Sequence, residues 1–259
     1  MRSAFLLLLV LLADDQRALR FFDSIRFQKF EPPGDEGRRV MEILLKKEHW
    51  VGAYRTLEEK LGPFPDALAL SVDFDFDGEP LARALGKGTE GRVSFNLKRL
   101  AEEMKKLDAI EEERKALAKR GRSLYFNVPP MKFDRMIYHE LTHVLQRNYE
   151  APDWFNEGMA QWIGEDLNCV STLAYTGAKV DFIDAASLKK IELYARGHLF
   201  WEWLASLGAA RKVVEQTVFR RRPWKEAVEE ATGNPWSVAL IIEREWSAKE
   251  VEKIHSKQR

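Results

Sequence analysis

The sequence predicts an α+β fold in which a small mixed sheet precedes a mainly helical lobe. Two observations predict it. Strand-like alternation falls in the first half of the chain, most clearly in Leu68, Leu70, Val72, Phe74 and Phe76. Helical spacing dominates from Phe133 onward, through Met136, Ile137, Leu141, Val144 and Leu145, and again from Ile191. The chain has 259 residues, 45% of them hydrophobic, enough for one sizeable core. We read 14–259 as a single domain, sheet-rich to about residue 128 and helical over 129–259. The 41 basic residues balance 41 acidic ones, so there is no electrostatic case for nucleic acid. A lone cysteine, Cys169, excludes an intramolecular disulfide and reads as a small apolar residue.

Each element follows from local pattern. Arg2 and the apolar run Ala4–Ala13 have the size of an export signal and are too short to span a bilayer. Cleavage after Ala13 would deliver the chain to the periplasm or the outside. An uncleaved run would hold it at a membrane. Alternation around Arg26 predicts a strand at Ile25–Phe27, and Pro32-Pro33-Gly34 breaks the chain. Arg38–Leu61 reads as one helix with Trp50, Val51, Tyr54, Leu57 and Leu61 on its apolar stripe, ended by Gly62-Pro63 and covering a face of the sheet. His49 there is a surface or packing residue. Ala67–Phe76 predicts an edge strand with Asp73 and Asp75 on its polar face. Asp73, Asp75, Asp77 and Gly78 imitate a calcium loop, but no glutamate closes it. Gly86-Lys87-Gly88 predicts a turn and Arg92–Leu97 a strand. Lys98–Arg120 predicts a solvated helix with Glu102–Lys106 and Glu111–Lys115 pairs rather than a lid. Leu124–Val128 predicts a strand feeding the next helix, and Gly164–Ala186 is loop-rich. Three helices close the chain over Arg211–Phe219, Trp224–Thr232 and Pro235–His255.

The chemistry concentrates in His139-Glu140-Leu141-Thr142-His143. Two histidines four apart lie on one helical face and converge on one metal ion, while the glutamate between them is poised to take a proton from water. Asp134 can cap this helix, and Pro129-Pro130 stop what precedes it. A catalytic zinc needs a third protein ligand and one open position. Glu157 supplies that ligand: Pro152-Asp153 opens a second helix, and a short loop returns Glu157 to His139 and His143.

The two motifs, His139-Glu-x-x-His143 and Trp154-Phe-Asn-Glu157-Gly-Met-Ala, resemble those of the gluzincin metallopeptidases, most of all the compact peptidase MA-like domains. The resemblance spans roughly residues 65 to 250 and implies a zincin-like fold. It implies one catalytic Zn2+, Glu140 as general base and a peptide or protein as substrate. Asn156 and Gln161 are similarly aligned with the residues around the glutamate ligand. Gln161 stands where thermolysin-like enzymes carry a carboxylate that orients a histidine. The run Tyr194-Ala-Arg-Gly-His198 resembles a later helix of the group, which makes Tyr194 or His198 the donor to the developing oxyanion. In such enzymes an edge strand pairs with the extended substrate, here either Val93–Asn96 or Leu124–Val128. Two alternatives remain: an inactive relative that binds peptides or proteins, and a metal-free structural protein presenting the Lys98–Arg120 helix.

Overall fold

The computed structural model describes residues 16–63, 68–78, 80–87, 89–120, 133–165, 168–176 and 190–258. The leader at 1–13 and the strand expected at Leu124–Val128 lie outside them. Among the described residues, no helix is long and apolar enough to cross a membrane.

The architecture is α+β, with a small mixed sheet. Helix α1 (16–24) leads into the two-residue strand β1 (Arg26–Phe27). Helices α2 (Gly34–Leu44) and α3 (Lys47–Leu61) follow, then strands β2 (Ala69–Asp75), β3 (Ala82–Lys87) and β4 (Glu90–Asn96). The first half therefore holds every described strand, yet most of its described residues are helical. The expected single helix over Arg38–Leu61 is broken at Leu45–Lys46. No glycine or proline signals the break. Lys46 turns extended, and the Trp50 indole N–H donates to the Leu44 carbonyl at 2.6 Å, satisfying an acceptor the helix end leaves open.

The strand order is β1-β2-β4-β3. Strand β2 runs parallel to β1 and β4, while β3 runs antiparallel to β4. Three expectations are corrected here. Neither β2 nor Val93–Asn96 is an edge: β2 lies between β1 and β4, and β4 between β2 and β3. Gly86 belongs to β3 and not to a turn. Leu70, Val72, Phe74, Val93 and Phe95 face the core. The aspartates of β2 are engaged locally, Asp73 with Arg92 and Asp75 with the Ser94 hydroxyl and the Gly78 N–H, each at 3.1 Å.

Helix α4 (Leu97–Lys119) starts where the Asn96 side chain accepts from the Arg99 N–H at 2.9 Å. Its ion pairs run three residues back, Lys106 to Glu103 and Lys115 to Glu112, instead of four. Next come α5 (Phe133–Gln146), α6 (Asp153–Ile163), α7 (Asn168–Thr176) and α8 (Lys190–Ser206). Helix α7 occupies part of the stretch expected to be loop. Helix α9 (Ala210–Val214) runs into a π-helical turn at Glu215–Phe219, and α10 (Trp224–Thr232) and α11 (Trp236–Gln258) close the chain. An aromatic cluster of Trp154, Phe155, Phe200, Trp201, Trp224 and Trp236 cements the helical lobe by edge-to-face contacts.

Two pairs of glycines let neighbouring elements pack directly on bare backbone and so position the site. Gly86 and Gly91 face each other across β3 and β4. A Cβ on Gly91 would lie 2.5 Å from Val144, and one on Gly86 would lie 2.3 Å from the Arg147 stem, so the end of α5 presses into a notch in the sheet. Gly158 of α6 meets Gly197 of α8 in the same way: a Cβ on Gly197 would lie 2.1 Å from the Trp154 carbonyl oxygen.

Candidate metal centre and cleft

Helix α5 presents His139 and His143 from one face, and α6, joined to it by residues 147–152, presents Glu157 to both. The two histidine Nε2 atoms are 3.1 Å apart. Glu157 Oε2 lies 3.4 Å from His139 Nε2 and 3.5 Å from His143 Nε2. These three atoms form a triangle open on one side. Ligands about 2.0–2.1 Å from a tetrahedral ion lie about 3.3 Å from one another, so the triangle has the dimensions of one face of such a polyhedron. Among the described residues this is the one cluster of histidine, cysteine and carboxylate ligands with that convergence.

The protonation pattern fits a cation. Gln146 donates through its amide nitrogen to the Asn156 carbonyl at 3.0 Å, which turns its oxygen toward His143 Nδ1 at 2.8 Å. His143 therefore carries its proton on Nδ1 and directs the Nε2 lone pair into the triangle. Burial opposes charge on His143, but hydrogen bonding to Glu157 and its charge outweigh burial and raise the imidazole above its ordinary value. Burial would also raise Glu157, yet the hydrogen bonds and charge of His139 and His143 hold it well below the usual carboxylate range. The three groups together demand positive charge between them, from a proton or from a metal.

Glu140 is buried beside this triangle, with 6% of its surface exposed. Burial pushes its carboxyl up, against the opposing pull of His139 and His143. Tyr194 reaches the site from α8. Its hydroxyl is raised well above the ordinary value, first by burial and then by the negative charge of Glu157, to which it hydrogen-bonds. His198, one turn on, does not reach the site. It is 1% exposed, and its Nε2 lies 3.7 Å from Glu202. The Gly158–Gly197 crossing explains the difference: it brings the face carrying Tyr194 over Glu157 and leaves His198 in the interior.

A cleft of about 480 Å³ lies over the triangle, lined by β3, α5, α6 and Tyr194. A second compartment of about 380 Å³ shares Ala82, His139, Glu140 and Tyr194 and extends past Met136, Gln161 and Cys169. The two compartments meet at Ala82, His139, Glu140 and Tyr194 to form one channel, and β3, an edge strand among the described residues, lines both.

Compared with known protein families, curated proteins and solved structures, the chain matches none.

Sequence reasoning misses Gln146, the residue that orients His143. The signal is its position, three residues after His143 on the same helical face. Gln161 does not take that role. Its oxygen is buried without a hydrogen-bond partner among the described residues, and it lines the second compartment. Asn156 contributes through its main-chain carbonyl to Gln146, while its side-chain nitrogen donates to the Ala151 carbonyl at 3.2 Å.

Proposed function

We propose that this protein is a zinc-dependent peptidase of the gluzincin kind, with a zincin-like arrangement of sheet and helices. The carrying observation is the triangle of His139 Nε2, His143 Nε2 and Glu157 Oε2, whose edges of 3.1–3.5 Å suit one tetrahedral ion with a position left open. His139, His143 and Glu157 would hold the metal. When bound, zinc supplies Lewis acidity, bringing the pKa of water at its open position to about 7 and polarising a carbonyl.

The chain's own groups do the rest. Glu140, buried beside the ligands, accepts a proton from the attacking water and passes it to the departing amine. The Tyr194 hydroxyl donates to the carbonyl oxygen as charge develops there. The outer edge of β3 offers main-chain hydrogen bonds to an extended peptide running through the channel, with Ala82 and Ala84 leaving room beside it.

Two expected results test the metal site. The wild-type chain holds one zinc by atomic emission, and zinc at a thousandfold excess over its Kd raises Tm by roughly 10 °C. His139→Ala and Glu157→Ala lose both the zinc and the shift, and zinc-free wild-type protein after reconstitution would remove the basis of the reading. Gln146→Ala keeps the ligands but frees the His143 ring, so zinc affinity falls about 10- to 100-fold in a chelator competition. An unchanged affinity would show that the Gln146 contact does not orient the ring for metal.

A further inference from the structure

The second compartment of the channel holds a polar group that the fold leaves unserved. Gln161 is 6% exposed, and its Oε1 is buried with no hydrogen-bond partner among the described residues. Such an oxygen has lost its water and gained nothing in return, a state that destabilises a fold unless a ligand relieves it. Gln161 lines the compartment of about 380 Å³ that shares Glu140 and Tyr194 with the metal cleft. It stands on α6 four residues after Glu157, so the two side chains leave one helical face about 6 Å of rise apart. Leu81, Ala82 and Met136 give the compartment apolar walls. Arg99 and Arg135 line it as well, and Arg135 is already engaged, with Glu165 at 2.8 Å and with the face of the Tyr138 ring. Rotation about its own side-chain bonds brings the Gln161 amide to a donor in the compartment without moving α6.

We infer that Gln161 determines the specificity of this compartment, selecting a substrate residue that carries an uncharged hydrogen-bond donor on an apolar body; the inference rests on the peptidase reading above. Tyrosine and glutamine share that chemistry, one through its O–H and the other through its amide N–H. Phenylalanine and methionine fill similar space but leave the Gln161 oxygen unpaired, and a site built around a hydrogen bond rejects the analogue that lacks it. Lysine and arginine would bring a third positive charge beside Arg99 and Arg135. Aspartate and glutamate, when ionised, have no donor to offer the oxygen. An extended peptide advances about 3.3 Å per residue, so a side chain reaching Gln161 belongs to a residue within about two positions of the cleaved bond.

The test is a random peptide library digested by the zinc-loaded full chain and read by mass spectrometry. At one position near the cut, Tyr is enriched about tenfold over Phe, or Gln about tenfold over Met, the effect of pairing a buried oxygen otherwise left unsatisfied. Gln161→Met, which keeps the length of the side chain and removes the amide, abolishes that ratio. Each ratio is internal to one digest, so a change in overall rate does not affect it. Ratios near one, or enrichment of Glu over Gln, overturn the inference and leave the peptidase reading standing. Two further measurements separate substrate recognition from a structural role. Metal-free Gln161→Met melts no lower than metal-free wild type, because an unpaired buried oxygen has been removed. A drop of several degrees would place a partner for that oxygen inside the fold and overturn the inference. Zinc affinity of Gln161→Met matches wild type in a chelator competition, and a tenfold loss with unchanged ratios would mean that Gln161 serves His139 instead. If nothing is cleaved, the peptidase reading falls, and the compartment is judged by fluorescence anisotropy with dye-labelled hexa-alanine peptides carrying one Tyr, Phe, Gln or Met. Tighter binding of the Tyr or Gln probe that Gln161→Met abolishes upholds the inference, while equal or absent binding overturns it.

Discussion

Glu140→Gln is expected to hold one zinc per chain and to cleave peptides about a thousandfold more slowly than the wild type. The amide has the shape of the carboxylate but cannot accept the proton of an attacking water. Glu140 is not one of the three converging ligand atoms, so metal content has no reason to change. The substitution also carries a stability signature. Burial raises the Glu140 carboxyl above its unfolded value, so in metal-free protein its charged form penalises folding once the pH exceeds the ordinary carboxylate range. The neutral amide escapes that penalty. Metal-free Glu140→Gln should therefore melt higher than metal-free wild type near pH 8, and the gap should close near pH 4. Zinc content by atomic emission, peptide turnover and the two melting curves check these statements together. Full turnover with zinc in place would reject Glu140 as the base. Loss of zinc would instead mean that Glu140 helps to hold the metal.

The cluster of His139, His143 and Glu157 is far more legible in the sequence than the channel around it, for physical reasons. Four residues make just over one helical turn, so His139 and His143 share a face in any α-helix. Residues 147–152 are too few to carry Glu157 far away. The wall of the channel depends on strand order, which no local pattern encodes. Ala82-Arg83-Ala84-Leu85-Gly86-Lys87 has no β-branched residue and no clean alternation, and it becomes a strand because β4 pairs with it. Its glycine, which reads as turn chemistry, serves close packing under Arg147. The break between α2 and α3 is likewise tertiary, since the Trp50 indole takes the carbonyl that a continuing helix would have used. The choice between Tyr194 and His198 needed the crossing of α6 and α8, a feature of two glycines 39 positions apart.

That crossing yields the other large effect. Gly197→Ala should cost at least about 3 kcal/mol, lower Tm by roughly 10 °C, and take zinc binding down with it. An added Cβ would lie 2.1 Å from the Trp154 carbonyl oxygen and 2.6 Å from Gly158 Cα, and both are backbone atoms that no rotamer change can move. Relief requires α6 and α8 to separate. Such separation loosens the packing of Phe155 on Trp201, whose indole donates to the Phe155 carbonyl at 2.9 Å, and carries Glu157 away from the histidines. Helix propensity alone favours alanine over glycine by about 1 kcal/mol and cannot offset this overlap. Gly52→Ala in α3 is the matched comparison: its Cβ would lie 2.7 Å from the Tyr138 hydroxyl, the movable tip of a side chain, so its Tm should change by only a few degrees. Melting curves of the two variants with and without zinc measure the contrast. Equal, small shifts in both would mean that α6 and α8 have slack, and that Tyr194 and Glu157 are brought together by something other than glycine contact.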